Sequence, residues 1–110
     1  MGKPVKRTEP NVPLAVGQLC LLDMKKYAGY WPLVGEVVEI KSNKKVLISW
    51  YIGTLKSVFK PWLIKKQGIK KPWLEEVDRD EIWYNGFQLT KKGRLRSPLQ
   101  EKIKEKMEIS

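Results

Sequence analysis

The chain has 110 residues, room for one compact domain with a modest core and too little for two. Hydrophobic residues make up 42% and aromatics 10%, which removes it from the disordered class although 31% of its residues are charged. Lys and Arg total 22 against 12 Asp and Glu, a formal charge of +10 that suits a polyanionic partner.

With no His and the single cysteine Cys20, internal disulfides, Cys/His zinc sites and His-based catalytic sets are excluded. No catalytic residue, cofactor or metal is expected. No apolar run reaches the roughly 20 residues that a membrane helix needs. The N-terminal Met1-Gly2-Lys3-Pro4 leads into charge instead of an apolar signal core, so the sequence predicts a soluble, intracellular chain with no membrane partner.

Residues 1–13 hold Pro4, Pro10 and Pro13 among basic residues and lack hydrophobic periodicity, which predicts an extended basic arm. Residues 14–24 are apolar and suit a first strand buried on both faces. Cys20, between Leu19 and Leu21, reads as a small buried hydrophobe. Trp31 to Ile40 reads as a second strand, with Pro32 near its start and Gly35 at a bend. After a turn at Ser42-Asn43, Lys45 to Tyr51 is β-branched and aromatic and pairs with it as an antiparallel hairpin. Ser57 to Ile64 is the fourth strand, and Lys65 to Lys71 a Lys/Gly loop.

Pro72 to Tyr84, rich in acids, predicts a fifth short strand that runs into a helical turn. Gly86 to Leu95 predicts a short extended pair around a Lys-Gly turn. Ser97-Pro98 opens a helix over 97–109, with Leu99, Ile103 and Met107 on one face. Lys60-Pro61-Trp62 and Lys71-Pro72-Trp73 echo each other, but in so basic a chain a repeated tripeptide carries no weight by itself. The whole predicts a mainly β fold: residues 14–96 form a small five-stranded barrel of short strands, and the 97–109 helix packs on it.

The charge is segregated. Between Lys41 and Leu74 stand nine lysines, Lys41, Lys44, Lys45, Lys56, Lys60, Lys65, Lys66, Lys70 and Lys71, with no acid. Glu75 to Glu81 follows with five acids and Arg79. Flexible lysines neutralise phosphates without reading bases, so this block is the candidate nucleic-acid surface, DNA or RNA, with little sequence specificity. The alternative is a solvated strand face that protects a sheet edge from aggregation.

Tyr27, Tyr30, Trp31, Trp50 and Tyr51 fall at strand ends or in the adjoining loop. A hairpin of the second and third strands places Trp31 and Trp50 at the same end of the sheet. Aromatic faces set at angles to one another attract a methylated ammonium by cation–π contacts. The alternative is that these rings close the core.

Val16-Gly17-Gln18-Leu19, Tyr30-Trp31-Pro32-Leu33-Val34 and Val46 to Thr54 resemble the PWWP domain and, more loosely, its Tudor and chromo-barrel relatives of the Royal superfamily. The resemblance covers about residues 14–65. It implies an SH3-like β-barrel, a nuclear, chromatin-associated reader, DNA bound on a lysine-rich face, and a methylated histone lysine held in an aromatic cage. Trp31 and Trp50 match cage walls of the family. The family's third wall falls at Ala28 here, so Tyr27 or Tyr30 supplies it; Trp62, Trp73, Trp83 and Phe87 match no cage position and read as core or helix-docking residues.

Three other readings stand beside the reader, which is expected to be a monomer as an isolated domain. One is a nucleic-acid-binding SH3-like barrel without a cage, similar to the C-terminal domains of integrase-like proteins. Another is a protein-interaction module that uses Glu75 to Glu81 and exposed Trp, with other chromatin proteins among its partners. The weakest is an enzyme whose Asp78 and Asp80 bind a metal.

Overall fold

The computed structural model describes residues 12–30 and 32–109, apart from the side chains of 28–30 and 107–109. Most of the N-terminal arm (1–11), Trp31, and the side chains of Tyr30 and Met107 thus lie outside the described residues.

The fold is mainly β, with eight strands and one α-helix among the described residues: β1 Leu19–Leu22, β2 Leu33–Ile40, β3 Lys45–Ile52, β4 Lys60–Pro61, β5 Leu63–Lys66, β6 Ile69–Pro72, β7 Leu74–Asp78, β8 Ile82–Phe87 and α1 Ser97–Ile109, with a 3-10 segment over Lys25–Tyr30 between β1 and β2. All pairings are antiparallel. The main sheet runs β4-β3-β2-β1-β8, with β7 also on β3, and strand pairing does not close it.

The expected β2–β3 hairpin forms, pairing Val34 with Tyr51 and Ile40 with Val46 across a bulge between Val37 and Glu39. The Ser42 hydroxyl accepts from the Lys44 and Lys45 amides and shapes the turn. Gly35 makes no bend. It sits buried inside β2 between Cys20 and Trp50, where an added Cβ would lie 3.0 Å from the Ile48 Cδ1 methyl.

β3 alternates cleanly: Val46, Ile48 and Trp50 point to one face and are buried. They join Cys20, Leu22, Met24, Leu33, Val37 and Val77 in the larger core. On the opposite face Leu21 and Val34 pack with Phe59, Leu95, and Leu99 and Ile103 of α1, so the helix docks where its apolar face predicts. β1 is buried on both sides, as the apolar run requires, but it starts only at Leu19. Val16 is 63% exposed and Gly17 has a left-handed φ of +94°, which keeps the preceding residues out of the strand.

The region after β3 departs most from the five-strand expectation. Instead of one strand over 57–64 followed by a loop, the chain makes a two-residue pairing (β4) and then a separate β5–β6 ribbon. The reason is local. Gln67 and Gly68 both have positive φ, +53° and +80°, the signature of a tight hairpin turn whose twist matches the flanking strands. Leu63 therefore pairs with Pro72, Ile64 with Lys71, Lys65 with Lys70, and Lys66 with Ile69. The acidic segment gives β7, a short 3-10 turn over Arg79–Glu81, and β8.

Candidate nucleic-acid interface and aromatic pocket

β3 shares its outer edge between β7, along Lys45 to Ser49, and β4, at Tyr51 and Ile52. The ribbon leaves the sheet between them, at Trp50. Three tryptophans make the junction through their backbones. The Trp62 amide donates to the Trp50 carbonyl (2.8 Å), the Trp73 amide to the Trp62 carbonyl (3.0 Å), and the Trp50 amide to the Trp73 carbonyl (2.9 Å). The Lys-Pro-Trp echo thus marks the two ends of the ribbon, a role that the bare repeat did not disclose.

The junction sorts the lysines. β7 lies against β3 with Lys45 opposite Asp78, and their side chains form an ion pair. Lys41 pairs with Glu76 at 3.7 Å. The acids that follow the lysine block in sequence thus fold back and neutralise its first part. Lys44 stays exposed in the β2–β3 turn, Lys56 in the loop before β4, and Lys60 on β4. On the ribbon Lys65, Lys66, Lys70 and Lys71 are all exposed, and among the described residues none of the four forms an ion pair.

At the ribbon's base opens a cavity of about 590 Å³ whose walls include Tyr27, Pro32, Trp50, Gly53, Trp62 and Trp73. Trp62 and Trp73 meet edge to face, with centroids 4.7 Å apart and planes at 89°. Tyr27 and Trp50 do the same at 5.7 Å and 86°, and Trp50 lies 6.5 Å from Trp73. Trp50 is 3% exposed, so it serves the core and the cavity together.

Glu75 fixes two of these rings. One carboxylate oxygen accepts from the Tyr27 hydroxyl and the Trp50 indole N–H, both at 2.9 Å, and the other accepts from the Lys26 ammonium at 2.6 Å. Burial pushes the Glu75 carboxyl upward, but the bonds from Lys26, Trp50 and Tyr27 outweigh it and hold the group below the usual glutamate range. Burial and the bond to Glu75 raise the Tyr27 hydroxyl, which stays a neutral donor.

Of the residues expected to form a cage, Tyr27 and Trp50 line the cavity, whereas Trp31 and the side chain of Tyr30 lie outside the described residues. Trp62 and Trp73 pack against the larger core, as expected, but they also wall the cavity, a role whose one signal in the sequence was the repeated Lys-Pro-Trp. Trp83 and Phe87 pack with the second core under the helix, as expected. Cys20 is fully buried, and burial pushes its thiol up to about 12, far from a thiolate at neutral pH. Comparison with protein-family models, with curated proteins and with solved structures finds no match for the chain.

Proposed function

We propose that this chain is a non-catalytic binding module of nuclear chromatin that holds nucleic acid by its phosphates, with the β5–β6 ribbon as the principal surface. One observation carries the reading: Lys65 stands directly opposite Lys70 on a ribbon without an acid, while Lys41 and Lys45 are answered by β7. Like charges directly opposite in a strand pair are destabilising, and an ordered polyanion relieves that repulsion. In this reading the open sheet is a variant of the SH3-like barrel of the PWWP and Tudor kind, and the ribbon is an insertion between β4 and β7, the two strands that flank the outer edge of β3.

The pocket favours a second, compatible role. Rings set at nearly right angles and pinned by a carboxylate offer π-faces to a methylated ammonium, so a methylated histone lysine is the ligand this cavity suits. The ribbon and the pocket, each weak alone, would then act together by effective concentration.

Salt dependence tests the first role. Each phosphate contact adds about 0.9 to the slope of log K against log salt for duplex DNA, so K65Q/K70Q should reduce the slope by about 2. K41Q/K45Q should reduce it by less than half as much. Equal losses from the two double variants would refute the ribbon as the principal surface. Tyr27→Ala, at a cavity wall outside the ribbon, should abolish binding of a trimethyl-lysine peptide and leave the salt slope unchanged, whereas peptide binding at wild-type strength would exclude the cavity as the peptide site.

A further inference from the structure

We infer that the β5–β6 ribbon enters the major groove of B-form DNA, and that the module therefore selects duplex DNA over duplex RNA. The inference rests on the reading that the ribbon's lysines hold phosphates, and adds the groove and the helical form.

Cross-strand partners share a face, so the pairing register places Lys65 and Lys70 on one side of the ribbon. Lys66 and Lys71 lie on the other side, with Ile64 and Ile69. A ribbon lying flat on one phosphate backbone needs cations on one face only. Cations on both faces fit a ribbon placed between two phosphate walls, which is what a groove provides.

The dimensions agree. Two paired strands lie about 4.8 Å apart and four residues span roughly 13 Å. The B-form major groove, about 12 Å wide and about 8.5 Å deep, admits a two-stranded ribbon, whereas the minor groove is about 6 Å wide. The major groove of A-form RNA is deep and narrow and shuts side chains out. Next to the turn, Ile69 is 59% exposed, an apolar side chain that tip-first entry would carry toward the thymine methyl groups of the groove. The base is braced by the three tryptophans, so little ordering remains to be done on entry.

The probe is a 20-base-pair duplex with an AATT centre and cytosine-containing flanks, read by fluorescence anisotropy at two salt concentrations. It is used in four forms: unmodified, with glucosylated hydroxymethylcytosines that fill the major groove, with netropsin in the minor groove, and as RNA of the same sequence. Expected are a loss of tenfold or more on glucosylation, a similar loss for RNA, and a change of less than twofold with netropsin. Ile69→Glu, an exposed position that leaves the core intact, should weaken the unmodified duplex and remove most of the glucosylation penalty. Equal affinity for glucosylated and plain DNA, displacement by netropsin, or equal affinity for RNA would overturn the groove assignment while the phosphate surface stands. Absence of salt-dependent binding to all four forms would overturn both.

Discussion

Glu75 is the residue on which the pocket turns. Three donors converge on its carboxylate, and two of them belong to pocket rings, so its charge state and ring placement are linked. The native carboxyl is held below its unfolded value, so the folded state binds fewer protons in the acid range. The stabilisation is complete above the unfolded glutamate value of about 4.3 and is lost as pH falls through the lower native value. Glu75→Gln keeps an acceptor but cannot ionise. It should therefore flatten the fall in stability below about pH 4.3, as read from urea midpoints between pH 2 and 7. An unchanged acid limb would show that the three bonds contribute nothing in solution.

At the scale of elements, α1 and the ribbon are opposites. α1 closes the second core through Leu99 and the fully buried Ile103, while Lys102 and Lys106 lie over the rings of Tyr84 and Trp83 at 5.6 and 5.1 Å. Removing the Ile103 side chain leaves a cavity beneath the helix, and such truncations cost about 2–5 kcal/mol. Ile103→Ala should thus lower the melting temperature by 10 °C or more, since about 1 kcal/mol shifts a domain of this size by about 4–8 °C. A shift under about 3 °C would mean that the helix frays independently of the sheet. The ribbon contributes little to the core, and its substitutions should leave the melting temperature nearly unchanged.

This contrast also explains what the sequence made legible. Period-two burial in β3 and the four-residue spacing of Leu99 and Ile103 in the helix are patterns of neighbouring residues, and both are found where expected, although Gln100 turns its side chain to the Leu95 carbonyl instead of closing a cap with Ser97. The ribbon was hidden because its turn uses Gln67, a non-glycine residue with positive φ, and because lysines on both strands imitate a solvated loop. The pocket was half legible. Tyr27 and Trp50 stand near the hairpin end, but Trp62 and Trp73 reach the cavity only because the ribbon's two ends are pinned to Trp50. No local period encodes that closure. The charge block misled in the same way, since the pairing of β7 with β3 is a long-range event.

Across the whole molecule, Trp62 and Trp73 belong to both candidate surfaces, as the ribbon's ends and as walls of the cavity. A phosphate chain on the ribbon and a cation in the pocket would therefore be held side by side on one support, with the helix on the opposite face of the sheet and β8 at its far edge. If the ribbon holds the phosphates, the fold concentrates its usable positive charge there. The most direct measurement is an amide NMR titration of the full chain with a short DNA duplex at low and high salt. Salt-sensitive shifts are expected to centre on residues 60–72, extending to Trp50 and Tyr27 and fading toward Lys41 and Lys45. Shifts centred on Lys41 to Lys45 and β7, with a silent ribbon, would contradict this placement of the charge.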